Sequence, residues 1–163
     1  MKLIIVKIST FIIITLHIVS CYPPKILYSL ESVSNTIEDS IEIKLLNGYA
    51  ITTGSLYHVS LSIELNNNND SEIFISNSIL ESKTNNLHTK YLSDKTNQFE
   101  IGAKMSKIVR FEYSSIDSIL LSYSLSNPKV ENHKLFLYFD VTQNQNKINL
   151  CVILRSAGTK QTY

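Results

Sequence analysis

Apolar and polar residues alternate with a period of two along most of this chain, and the three-to-four spacing of an amphipathic helix is almost absent. The clearest run is Tyr57, Val59, Leu61, Ile63 and Leu65, interleaved with His58, Ser60, Ser62 and Glu64. Such a run predicts a strand with one buried face, because successive side chains of a strand point to opposite sides. The same pattern recurs at Val109/Phe111/Tyr113, Ile119/Leu121/Tyr123/Leu125, Leu135/Leu137/Phe139/Val141 and Ile148/Leu150/Val152/Leu154. Shorter or more polar strands are expected at Ile26–Leu30, Ile41–Leu46, Ile73–Ile75, near Leu87–Leu92, and at Phe99–Ile101.

Turn chemistry separates these runs. Asn47-Gly48 reads as a two-residue hairpin turn, because both of its residues tolerate positive φ. Thr53-Gly54-Ser55, Ile101-Gly102-Ala103 and Asn127-Pro128 mark further reversals, and Asn66 to Asp70 forms a polar loop. Strands arriving every 8–14 residues or so predict an all-β, mostly antiparallel sandwich rather than an α/β fold. The organisation expected is a signal peptide over 1–20, a tether and first strand over 21–36, one β-sandwich domain over 37–155 and a flexible tail over 156–163.

Between residues 55 and 115 a long alternating strand enters an Asn-rich turn. A short apolar strand follows, and Gly102 precedes the strong run Lys107–Tyr113. This order resembles the immunoglobulin-like accessory domains of bacterial envelope proteins. The resemblance implies a single immunoglobulin-like β-sandwich, although the chain has no Trp and lacks the Cys…Trp…Cys signature of antibody domains.

The amino terminus has a different composition. Lys2 and Lys7 precede a short apolar run from Ile8 to Val19, and Ser20 then precedes Cys21. The run is too short and one-sided for a permanent span and reads as an export signal. Ile18-Val19-Ser20-Cys21 resembles the lipobox of bacterial lipoproteins. The resemblance implies cleavage before Cys21, lipidation of its sulfur, and acylation of the new amino group with palmitate-class chains. Two or three acyl chains would anchor the protein, at about 0.8 kcal/mol per buried CH₂. Tyr22-Pro23-Pro24-Lys25 contains no acidic sorting signal, which favours a periplasm-facing position in a Gram-negative host. An ordinary secretory signal would instead give a soluble secreted protein, in which a Cys21–Cys151 disulfide becomes available. A retained signal-anchor is the third alternative.

The charge balance is close to neutral, without basic clusters, and argues against nucleic acid as a partner. His58, His88 and His133 lie in polar settings with no ligand-spaced partner, and each reads as a solvated surface residue. Asn69-Asp70-Ser71-Glu72 lacks the spacing of a calcium loop. Ser residues lack a nucleophile elbow, and Cys151 sits inside an apolar strand where burial would raise its pKa. No catalytic residue, cofactor, metal or small-molecule substrate is expected. In Leu135–Phe139 both strand faces are apolar, so Phe136 and Tyr138 form either a partner-binding patch or the floor beneath a covering loop. The expected function is a non-catalytic binding or scaffolding module at the membrane surface, its protein partner unspecified.

Overall fold

A computed structural model describes residues 25–34, 40–53, 56–84, 87–91, 98–115 and 133–160. They form an all-β, antiparallel architecture of nine strands: β1 (Lys25–Ser34), β2 (Ile41–Thr53), β3 (Leu56–Asn67), β4 (Ile73–Thr84), β5 (Leu87–Tyr91), β6 (Phe99–Ile101), β7 (Ser106–Ser115), β8 (Lys134–Gln143) and β9 (Asn146–Lys160). Hydrogen bonding runs continuously in the order β5-β4-β8-β9-β1-β2-β3-β7, and β6 also pairs with β4. The expected strand Ile119–Leu125, the signal segment 1–20 and the turn Asn127-Pro128 lie outside the described residues.

β1 joins the two halves of this sheet. It pairs with β9 along its whole length, but with β2 only at Ile26↔Ala50 and Leu27↔Tyr49. Register shifts in β1 at Leu27/Tyr28 and Leu30/Ser32 mark the irregularities where it leaves β2. The halves then face one another across a shared core. Phe111 of β7 stacks on Phe139 of β8 with ring centroids 6.1 Å apart, although these strands belong to opposite halves. Val59, Leu61, Ile63 and Leu65 from β3 meet Leu135, Leu137, Phe139 and Val141 from β8 and Leu150, Val152 and Leu154 from β9 in this core. Each such side chain contributes roughly 1.5–3 kcal/mol by leaving water.

Several expectations are corrected by this arrangement. Asn47-Gly48 is not a hairpin turn; it lies inside β2, just after a bulge at Leu45/Asn47. Gly48 sits in a tight place: a Cβ there would stand 3.3 Å from Leu61 and 3.4 Å from Tyr28, so a larger residue would require its neighbours to shift slightly. The reversal comes later, where Thr53 pairs with Leu56. The short strand at Ile73–Ile75 is the start of twelve-residue β4, which continues past a bulge at Asn77 (φ 53°). Finally, 156–160 is not a tail. β9 carries through Ser156 to Lys160, pairing Lys160 with Lys25 and Thr159 with Ile26. β1 itself lies in the middle of the sheet.

One polar corner closes an end of the molecule. Asn67, the last residue of β3, continues the inward parity of Ile63 and Leu65 and is 1% exposed. Its Nδ2 donates to the carbonyls of Ser71 (2.9 Å), Ile101 (3.2 Å) and Gly102 (2.9 Å). Its Oδ1 accepts from the backbone N–H and the Nδ2 of Asn69, both at 3.0 Å. Backbone bonds from Asn67 to Met105, Asn68 to Ser40 and Lys104 to Asn69 complete the corner. It ties together the start of β2, the ends of β3 and β6, and the approaches to β4 and β7. Replacing Asn67 by Ala orphans buried carbonyls, and we expect unfolding free energy to fall by about 2–4 kcal/mol. Urea denaturation measures this; a loss below about 1 kcal/mol would show that the corner holds without its amide.

Candidate functional site

The alternation along β8 sends Leu135, Leu137 and Phe139 inward and Phe136, Tyr138 and Asp140 outward. Phe136 lies between Glu81 of β4 and Ile153 of β9; Tyr138 lies between Ile79 and Cys151. Both aromatic residues are half-buried. The structure therefore places the pair on one face, with Ile79, Ile153 and Cys151 as apolar neighbours and the Glu81 carboxylate beside them. Burial pushes the Tyr138 phenol up to about 12, and the neighbouring Cys151 thiol and Glu81 carboxylate add to the shift. Tyr138 is thus a protonated phenol, able to donate a hydrogen bond throughout the physiological range.

Cys151 is buried within β9, at 5% exposure. It faces Tyr138 on the outer side and takes no part in the core cluster. Cys21 lies outside the described residues, and so does the Cys21–Cys151 pairing.

Asp140 ends this outer row and pins the β4 bulge. Its Oδ2 accepts from Asn77 Nδ2 at 2.8 Å and pairs with Lys147 Nζ at 2.8 Å, while its Oδ1 accepts from Asn149 Nδ2 at 3.2 Å. Burial alone would raise this carboxyl, but the hydrogen bonds from Lys147, Asn77 and Asn149 and the Lys147 charge hold it below its ordinary 3.8. Asn77, held in the left-handed region, is thereby fixed from its side chain as well as its backbone.

A second polar group lies in the interior, where the sequence suggested a solvated histidine. His133 is 1% exposed. Its Nδ1 stands 2.7 Å from the Tyr28 hydroxyl and its Nε2 stands 2.8 Å from Ser82 Oγ. The Tyr28 and His133 rings lie tilted at 60° with centroids 5.8 Å apart. A neutral imidazole has one donor and one acceptor nitrogen, which suits two hydroxyl neighbours. The order hydroxyl–imidazole–hydroxyl has the spacing of a nucleophile, a base and an orienting group. Yet Ser82, His133 and Tyr28 are all buried, so the array holds β4, β8 and β1 together from within. The signal was present in the parity: His133 continues the inward series 135, 137, 139 and 141. Also in the interior, the Tyr113 and Ser78 hydroxyls lie near one another without a well-formed hydrogen bond, and burial pushes Tyr113 up to about 12.

The remaining candidates stay apart. His58 is half-buried on the outer face of β3, where its Nδ1 stands 2.7 Å from Ser114 Oγ. His88 lies in β5 opposite Lys83. Asp70 pairs with Lys104 Nζ at 3.0 Å in an exposed turn. Among the described residues, no three His, Cys, Asp or Glu side chains gather to hold a metal ion. Among them, too, no helix is long and apolar enough to cross a membrane.

No protein-family model matches the chain, and no curated protein matches it. Among solved structures, a protein from Archaeoglobus fulgidus is similar at 14% identity over 83% of this chain and 99% of its own, with a TM-score of 0.47. A likeness of that size bears on neither function nor partner.

Two measurements follow from the polar groups. Asp140→Ala is expected to lower stability by about 1–3 kcal/mol at neutral pH, the scale of hydrogen bonds to a charged group. The carboxyl is depressed in the folded state, so its contribution is complete above the ordinary 3.8 and fades as pH falls below it. Denaturation curves of wild type and Asp140→Ala should therefore converge in acid; a constant gap down to about pH 2 would contradict the latch. His133→Ala removes the imidazole that bridges two buried hydroxyls and should cost about 2–4 kcal/mol in the same assay, whereas a solvated His would cost almost nothing.

Proposed function

We propose that the chain is a non-catalytic binding or scaffolding module, held at an envelope membrane through lipid on Cys21. The observation that carries this reading is the lipobox-like Ile18-Val19-Ser20-Cys21 behind a basic, apolar leader. The position of β1 supports it. β1 begins at Lys25, so only Tyr22, Pro23 and Pro24 separate Cys21 from the sheet. An extended chain spans at most about 3.5 Å per residue, which keeps the domain within roughly 15 Å of a lipidated Cys21. The domain thus rests against the headgroups rather than on a long stalk.

The non-catalytic part of the reading is supported by the interior position of Ser82, His133 and Tyr28, where an acyl group has no approach to Ser82 Oγ. An immunoglobulin-like sandwich, periplasm-facing in a Gram-negative host, is the architecture that accompanies this proposal. Protein recognition is assigned to the Phe136/Tyr138 face, where two half-buried aromatic rings lie among Ile79, Ile153 and Cys151 with the Glu81 carboxylate beside them. Sandwich folds serve many functions, so the partner follows from this surface chemistry and not from the architecture.

The test is the intact mass of the protein extracted with detergent from its native host, compared with Cys21→Ser. A mature chain beginning at Cys21 and carrying diacylglycerol is expected, with the lipid mass and membrane retention both lost in the variant. An unlipidated chain in the soluble fraction would overturn the anchor and leave a secreted protein.

A further inference from the structure

β7 ends the hydrogen-bonded order of the sheet. Among the described residues it pairs only with β3, and its other edge carries no strand. β5 comes near β7 without forming a ladder with it. Among the described residues this edge is open; an open edge is an invitation to another strand, and proteins usually blunt such edges with charges, bulges or shortness. β7 is ten residues long and is paired to β3 without a register shift. Lys107, which could guard the edge, folds back instead. Its Nζ lies 5.1 Å from the Phe99 ring centre and donates to the Glu100 carbonyl at 3.3 Å. Ile108 is 62% exposed on the outer face, and Met105 before the strand is 63% exposed.

The sequence of this edge is complementary to itself. We propose that β7 pairs antiparallel with β7 of a second copy, in a two-fold register centred on Phe111. Val109, Phe111 and Tyr113 point inward, and Ile108, Arg110 and Glu112 point outward. A register centred between two residues would set inward side chains against outward ones, so the centre must fall on a residue. Centring on Phe111 places Arg110 opposite Glu112 of the other copy, twice, by symmetry. Centring on Arg110 sets two Arg side chains against each other, and centring on Glu112 sets two carboxylates against each other. Centring on Val109 leaves Arg110 opposite Ile108 and brings Lys107 against Phe111. Directly opposed charges stabilise or destabilise a strand pair according to sign, so one register is favoured. Arg110 and Glu112 are both exposed and form no ion pair among the described residues, which leaves them available for this exchange. Ile108 is partly covered in the same step.

The pairing is independent of the lipid anchor, and the test separates them. Full-length protein and its Cys21→Ser variant are purified in the same detergent and their mass is followed by native mass spectrometry up to about 100 µM, the weak end of specific association. Both are expected to dimerise equally. Arg110→Glu and Glu112→Arg each turn two attractive contacts into two repulsive ones and should weaken dimerisation about tenfold or more. The double variant Arg110→Glu/Glu112→Arg restores opposite charges and should recover the dimer. Both positions are solvent-facing, and far-UV circular dichroism confirms that each variant is folded. A wild type that stays monomeric, a dimer indifferent to either single reversal, or a folded double variant that does not recover association would overturn the proposal.

Discussion

The closure of this molecule depends on a single buried carboxamide. At Asn67 the end of β3, the turn into β4 and the β6–β7 reversal share a hydrogen-bonding partner, and its neighbours Asn68 and Asn69 carry the bonds on to Ser40 at the start of β2. Its two amide hydrogens serve three carbonyls, and its oxygen orders Asn69 in turn. Backbone groups buried in irregular connections must find partners or cost free energy. A hydrophobic side chain at this inward position would extend the core of β3 by one residue while leaving those carbonyls unpaired. The polar residue is therefore what lets an apolar strand end inside the protein.

The same logic explains the other buried polar groups. Each sits where a ladder cannot satisfy the chain by itself. Asp140 holds the Asn77 bulge from outside, and His133 couples strands β1 and β4 to the entrance of β8 from inside. Apolar burial supplies the bulk of the folding free energy without direction. These three polar clusters fix which strand lies beside which. Their positions divide the work between the two ends of the sheet and its outer face.

Most of the all-β character was legible in the alternation alone, and β3, β7, β8 and β9 appear where period two predicts them. What escaped the sequence is a matter of parity. A bulge inserts one residue and flips every later side chain to the opposite face. In β4 the inward positions pass from Ile73 and Ile75 to Leu80 and Ser82, so a twelve-residue strand looks like a three-residue one. In β2 they pass from Ile43 and Leu45 to Gly48 and Ala50, and Asn47-Gly48 imitates a turn. His133 failed in the other direction: its parity was inward, but its polar neighbours concealed it. The outward position of Phe136 and Tyr138 was readable, whereas the contact of Tyr138 with Cys151 needed the β8–β9 register.

The central place of β1 also has a mechanical meaning. Its first residue, Lys25, lies at the very end of the ladder with β9, and everything amino-terminal to it leaves from that end. A force drawn along the chain from this side, with the body held elsewhere, acts parallel to β1. It loads the hydrogen bonds from Lys25↔Lys160 to Ser34↔Cys151 together, in shear, rather than peeling them one after another. Such a strand is a strong point of attachment, since rupture requires many bonds to yield at once. A tug at the amino end is resisted by the middle of the sheet, not by its rim.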